Sequence, residues 1–110
     1  MSDLRKTTPV EVSRHAIVQY AQRLRDPRPH ADIEAEIIAE VRDAIGNGRQ
    51  ANHKRVPFKL FKERRKGGIL PHQKFVWAED NHAAWIIARE PGRVVVVTTL
   101  SPAGSVRTYA

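Results

Sequence analysis

Basic and aromatic side chains are interleaved in one short stretch of the chain, residues 49–66, with the sequence RQANHKRVPFKLFKERRK. Arginine can bind phosphate with two parallel hydrogen bonds and stack on bases, lysine adds a point charge, and exposed phenylalanine can stack on unpaired bases. We expect the basic side chains to contact nucleic acid and the phenylalanines, Phe58 and Phe61, to anchor the stretch in the core. The eight basic residues are Arg49, Lys54, Arg55, Lys59, Lys62, Arg64, Arg65 and Lys66.

The charge of the chain is gathered in this basic segment. The whole chain has a formal charge of +7, and the basic segment alone sets eight basic residues against one acid, Glu63. The remaining chain has eleven basic and eleven acidic residues. A concentrated positive field attracts polyanions. Nucleic acid or the ribosome is therefore the expected partner, and an acidic protein is the alternative.

A second group of residues could carry acid–base chemistry. Cleavage of RNA without a metal ion needs a proton acceptor, a proton donor and cations beside the phosphate oxygens. His15 is the candidate acid or base because imidazole titrates near neutral pH. Arg23, Arg89 and Thr98 are the candidate companions in a cleft near the strand ends. The alternative is that His15 makes a local hydrogen bond, that Arg89 flanks a turn and that Thr98 is an ordinary strand residue.

The sequence offers little for metal or nucleotide chemistry. The five histidines, at positions 15, 30, 53, 72 and 82, include no pair at helical ligand spacing, and there is no cysteine. The glycines of Gly46-Asn47-Gly48 end a helix instead of opening one, so no phosphate-binding loop is predicted. We expect no metal site and no cofactor.

Length and composition favour one cytoplasmic domain. The chain has 110 residues, of which 41% are hydrophobic and 28% charged, as in ordinary globular domains. The absence of cysteine fits a reducing compartment, and no apolar window is long enough to span a membrane. We expect a loose arm over residues 1–12, one domain over residues 13–100 and a tail over residues 101–110.

Two helices are predicted in the first half of the chain. Ser13 can cap the first helix, which runs through RHAIVQYAQRLR and ends before Asp26-Pro27. The second helix begins near Asp32 and ends at Gly46-Asn47-Gly48. Its apolar residues recur every four positions. Its acidic side chains cover the exposed faces, so this helix should turn away from a phosphate backbone.

Three β-branched and aromatic runs follow: Lys74–Glu79, Ala83–Arg89 and Arg93–Leu100. Turn residues separate them, which predicts an antiparallel meander, and Val10–Val12 could add a short edge strand. The four valines of the third run favour a central position, covered on both faces. Trp77 and Trp85 are expected to pair across one sheet face. The predicted fold is α+β, with two N-terminal helices packed on a three- to four-stranded antiparallel sheet.

The opening SRHAIVQYAQRL resembles that of small bacterial and phage-borne toxin proteins of the RelE/ParE/BrnT class, which have the barnase–EndoU–colicin–RelE ribonuclease-type fold. His15, Ala16, Tyr20 and Arg23 match that pattern, whereas Gln19 stands where an arginine is expected. The resemblance covers about residues 13–100. It implies engagement of RNA or the ribosome, metal-independent RNA cleavage in the catalytic members and, in some, an antitoxin partner. A non-catalytic protein that binds DNA, RNA or a host protein is the alternative.

Overall fold

The computed structural model describes residues 9–51, 72–80 and 82–100. The elements in chain order are β1 (Val10–Val12), α1 (Arg14–Arg23), α2 (His30–Gly46), β2 (Gln50–Ala51), β3 (Gln73–Trp77), β4 (Ala84–Glu90) and β5 (Arg93–Leu100). Both helices lie on one face of a single sheet. The α+β class predicted from the sequence is confirmed.

Helix α1 begins at the predicted cap. The Ser13 hydroxyl accepts a hydrogen bond from the Ala16 amide at 3.0 Å and donates one to the Val97 carbonyl, also at 3.0 Å. One side chain thus caps the helix and fastens it to β5. The helix ends at Arg23, two residues earlier than predicted, because Arg25 adopts a left-handed backbone with φ of 53° ahead of the Asp26-Pro27 pair.

Helix α2 begins at His30, two residues earlier than predicted. Pro29 occupies the cap position, and its carbonyl accepts the amides of Asp32 and Ile33 at 3.0 and 3.2 Å. The four-residue repeat of Ile33, Ile37 and Val41 is fully buried, as predicted. These side chains place the acidic positions of the helix toward its flanks and outer face.

The sheet has five strands in the order β1-β5-β4-β3-β2, which is more than the predicted three or four. The strands from β2 to β5 pair antiparallel, but β1 runs parallel to β5, so the sheet is mixed instead of purely antiparallel. The parallel pair arises because α1 and α2 separate β1 from the meander and return the chain at the far side of the sheet. The short strand expected at Val10–Val12 is confirmed.

The central strand is β4 and not, as predicted, β5. All of Ala84–Ala88 is buried, whereas the valines of β5 alternate: Val94 and Val96 are buried, and Val95 and Val97 are half-buried.

The prediction that the two tryptophans pair across one sheet face is wrong because of the strand register. Trp85 lies opposite Val76, one position away from Trp77, so the two rings project from opposite faces of the sheet.

The main core lies between the two helices and one sheet face. It contains Tyr20, Leu24 and the apolar stripe of α2, packed on Trp85, Ile87 and Val96. A smaller buried cluster on the other face contains Phe75, Ala84, Ile86 and Leu100. Within the described ranges, neither helix is both long and apolar enough to cross a membrane.

Candidate functional site

His82 is a buried imidazole in the turn between β3 and β4. Its side chain is only 8% exposed. Asp80 accepts a hydrogen bond from the His82 amide at 3.1 Å and also lies in hydrogen-bond contact with Nδ1. These contacts with Asp80 fix the imidazole ring, and Nε2 points toward the helices.

Two side chains from the helices contact this imidazole, and a third contacts one of these two. His82 Nε2 lies 3.3 Å from the Tyr20 hydroxyl oxygen and 3.3 Å from Glu40 Oε2. The Tyr20 hydroxyl donates a hydrogen bond to Glu36, one turn before Glu40 on α2. We refer to Tyr20, Glu36, Glu40, Asp80 and His82 as the His82 cluster. Two helices and one turn build it, so it forms only in the folded chain.

An outer pair of charges supports the cluster. Arg28 donates hydrogen bonds to both carboxylate oxygens of Asp26 and to Glu36 Oε2 at 3.0 Å. The Asp26 side chain is fully buried. Its hydrogen bonds from Arg28 outweigh the effect of burial and lower the pKa of the Asp26 carboxyl, and the two carboxylates raise the pKa of Arg28. The connection between the helices is thereby tied to α2.

Burial and hydrogen bonding act in opposite directions on the ionisable groups of the cluster. For Glu36, burial is the largest single influence and raises the pKa, but the combined hydrogen bonds from Arg28 and Tyr20 lower the pKa below its usual value. For His82, burial lowers the pKa, and contacts with Glu40 and Asp80 outweigh it, so the pKa is raised. The cluster therefore stabilises positive charge at the position of the imidazole.

An open acidic cleft adjoins the cluster. It has a volume of about 700 Å³ and is lined by Ala39, Glu40, Asp43, Arg49, Glu79 and Asp80. Glu40 and Asp80 belong to both the cleft wall and the His82 cluster. Four of the six lining residues are acidic, so this side of the cluster attracts cations and repels polyanions.

Arg49, the first residue of the basic segment, pairs with groups of the protein itself. Its guanidinium pairs with Asp43 of α2 and donates a hydrogen bond to the Trp77 carbonyl at 3.0 Å. Its side chain is 18% exposed. Arg49 thus joins the end of α2 to the sheet, and its charge is neutralised there. The other seven basic residues predicted to bind nucleic acid lie outside the described residues.

The predicted catalytic residues are spread over the described structure. His15 and Arg23 are exposed at opposite ends of α1, about 12 Å apart along the helix axis. Arg89 lies opposite Val94, whereas Thr98 lies opposite Ile86, so about 10 Å of strand separates them. Thr98 is buried, and its hydroxyl donates to the Gln19 side chain. The register therefore gives no common position for Arg89 and Thr98.

The His82 cluster was not predictable from histidine spacing, because no two histidines stand at helical ligand spacing in the sequence. The available signal was the spacing of Glu36 and Glu40, which places two carboxylates on one face of α2. His82 lies 42 positions after Glu40 in the sequence. Only the pairing of β3 with β4 brings the turn that carries it against the helices.

Comparison of the chain with protein-family models found no match, and comparisons with curated proteins and with solved structures found none either. The resemblance to RelE/ParE/BrnT toxins accordingly stays a prediction.

Proposed function

We propose that this protein binds nucleic acid, RNA in preference to DNA, through the basic residues between Ala51 and His72. The observation that carries the proposal is a separation of charge along the chain. The described residues contain nine basic and ten acidic side chains, a formal charge of −1, whereas residues 52–71 contain seven basic and one acidic, a formal charge of +6. The positive excess of the protein is therefore concentrated in one segment.

The described structure fixes both ends of that segment. Ala51 pairs with Phe75 across β2 and β3, and the His72 carbonyl accepts the Arg89 amide at 3.3 Å. Paired Cα atoms of antiparallel strands lie about 4.5–5.5 Å apart. Ala51 and His72 thus lie at neighbouring strands, and the basic residues between them are tethered to the fold at these two points.

Half of the ten acidic side chains in the described part pair with arginines there. Asp26 and Glu36 pair with Arg28, Asp43 pairs with Arg49, and Glu11 and Glu90 pair with Arg93. These partners compete with the basic segment for the carboxylates. The phosphate groups of a nucleic acid complement the charge of the seven basic residues between Ala51 and His72.

The proposal is limited to binding. Two of the four residues expected to cleave RNA, Arg89 and Thr98, are separated along the sheet, and the Thr98 hydroxyl is committed to Gln19. A cleaving enzyme needs its acid, base and cations around one phosphate. Binding needs only the charge and its tether. The RelE-like resemblance supports the choice of RNA or the ribosome as the target.

The test compares two variants of equal net charge. The segment variant replaces Arg64, Arg65 and Lys66 with glutamate. The surface variant replaces Arg14, Arg25 and Arg42, which are exposed on the described surface, with glutamate. Each variant carries a formal charge of +1 in place of +7. Affinity for a labelled single-stranded RNA, and for DNA of the same sequence, is measured by fluorescence anisotropy over a series of salt concentrations.

We expect the segment variant to lose affinity and to reduce the slope of log affinity against log salt by about 2, since each phosphate contact on a single strand contributes about 0.7. The surface variant should bind nearly as the parent does. Equal loss in both variants would show that only net charge matters. RNA cleavage in the presence of chelator that is abolished by His15→Ala would instead establish the ribonuclease alternative.

A further inference from the structure

Three potential metal-ligand atoms converge in the His82 cluster. One carboxylate oxygen each from Glu36 and Glu40 and one imidazole nitrogen of His82 all lie within 4.8 Å of one another. Ligand atoms of a tetrahedral ion with bonds of about 2.1 Å are about 3.4 Å apart. Inward movements of up to about 0.8 Å per atom, which side-chain rotation can supply, would bring the three atoms to coordination distance.

Asp80 orients the His82 imidazole in the way that a carboxylate orients a metal-binding histidine. Its carboxylate contacts Nδ1 and leaves Nε2 directed at Glu40 and the helices. A histidine ligand usually donates its other ring N–H to a carboxylate, which fixes the tautomer and the ring orientation. The imidazole is buried and already oriented, so little conformational freedom would be lost on binding an ion.

Negative charge exceeds positive charge around the cluster in the described part of the chain. Four carboxylates there, Asp26, Glu36, Glu40 and Asp80, pair with one guanidinium and one imidazole, which leaves two negative charges in excess among these described groups even with the imidazole protonated. In addition, Glu40 Oε2 is buried and, apart from its ion pair with His82 Nε2 at 3.3 Å, has no hydrogen-bond partner among the described residues. A buried carboxylate oxygen without a hydrogen bond is energetically costly. A cation at this position would remove both deficits.

We propose that Glu36, Glu40 and His82 form a divalent metal site, with Asp80 as the positioning residue. Two carboxylates and one imidazole suit Zn²⁺, Mn²⁺ or Fe²⁺, whereas Mg²⁺ prefers oxygen ligands and retains its waters. Three protein ligands leave a coordination position open, and the acidic cleft beside Glu40 gives access to it. The proposal is independent of nucleic-acid binding, because it uses none of the basic residues between Ala51 and His72.

The test uses the full chain, stripped of metal with a chelator and then dialysed. Zn²⁺, Mn²⁺ and Mg²⁺ are titrated separately by calorimetry, and the melting temperature is measured with and without each ion. Glu40→Gln removes one ligand charge while keeping the side-chain shape. Glu34→Gln makes the same change on the same helix outside the cluster and is the control. Asp80→Asn tests the positioning role.

We expect one Zn²⁺ or Mn²⁺ per chain, a rise in melting temperature with that ion, and weak or no binding of Mg²⁺. Glu40→Gln should lower the affinity by more than about tenfold, and Asp80→Asn by about 10- to 100-fold, while Glu34→Gln leaves it unchanged. A long-range ¹⁵N spectrum should show His82 bound through Nε2 with Nδ1 protonated.

Two results would overturn the metal site. One is a parent protein that binds none of the three ions at millimolar concentration. The other is binding that persists undiminished in Glu40→Gln. Because Glu40→Gln is nearly isosteric, its folding can be verified by circular dichroism before the titration, and a folded variant makes either result decisive.

Discussion

The Tyr20 ring stacks on the Trp85 ring, with 6.5 Å between their centroids and 4° between their planes. Both side chains are fully buried, and the stack joins α1 to the central strand β4. At the outer end of the same tyrosine, the hydroxyl donates to Glu36. Tyr20 therefore connects the hydrophobic core with the polar His82 cluster.

Tyr20→Phe separates these two roles. The ring stack is retained, but the hydrogen bond to Glu36 is lost. We expect the free energy of unfolding to fall by about 1.5–3 kcal/mol, the usual contribution of one hydrogen bond to a charged acceptor. Tyr20→Ala should cost about 3–5 kcal/mol because it also removes a buried ring. Urea unfolding followed by circular dichroism measures both, and equal losses would contradict the assignment of two roles.

Gln19 fastens α1 to the irregular pairing of β4 and β5. The Gln19 side-chain oxygen accepts hydrogen bonds from the Thr98 hydroxyl and from the Thr99 amide, the latter at 3.1 Å. Gln19→Ala should reduce the free energy of unfolding by about 1–3 kcal/mol, since two donors lose their partner. Gln22→Ala, on the exposed side of the same helix, is the matched control and should change it by less than about 0.5 kcal/mol.

The register between β3 and β4 predicts unequal roles for the two tryptophans. Trp85 is fully buried in the main core, whereas Trp77 is half-buried on the opposite face. Trp85→Ala should destabilise the protein by about 3–5 kcal/mol and Trp77→Ala by less than half as much. Chemical denaturation measures the difference. Similar losses for both would indicate that the two rings share one face, as the sequence had suggested.

The pairing of Asp26 with Arg28 predicts a dependence of stability on acid. The pKa of Asp26 is lower in the folded protein than in the unfolded chain. Its contribution is therefore complete above the unfolded pKa of about 3.9 and is lost as the pH falls through the lower, folded value. Glu36 of α2, which shares Arg28, titrates in the same direction.

Asp26→Asn should flatten this part of the profile. At pH 7 we expect a loss of about 1–2 kcal/mol in the free energy of unfolding, a modest value because Arg28 is partly exposed to solvent. Below pH 4 the difference between variant and parent should shrink. Urea unfolding from pH 2 to pH 7 tests this, and parallel profiles for the two proteins would contradict the assigned pairing.

The local parts of the fold were predictable because local chemistry determines them. The Ser13 cap, the four-residue repeat of α2 and the run Arg93–Leu100 could all be identified from neighbouring residues. The order of the strands could not be identified in this way, because a run of four valines suits any interior strand. The parallel pairing of β1 with β5 depends on how the two helices return the chain, and no local pattern encodes that path.

The candidate site was predictable only in part, for the same reason. Charge is additive along a sequence, so the excess between Ala51 and His72 could be counted directly. Convergence of side chains depends on pairing register, which separated Arg89 from Thr98 and brought His82 to Glu36 and Glu40. Arg49 was expected to face a nucleic acid, but the end of α2 places Asp43 beside it.

The most direct test of the proposed function is a residue-level map of the binding surface. A ¹⁵N-labelled sample is titrated with a short single-stranded RNA, and amide shifts are followed along the chain. Binding through the tethered basic residues predicts that the largest shifts fall within residues 52–71 and at the flanking residues Ala51 and His72, with α2 unaffected. Shifts centred on the exposed face of α2, or no shifts at low salt, would contradict it.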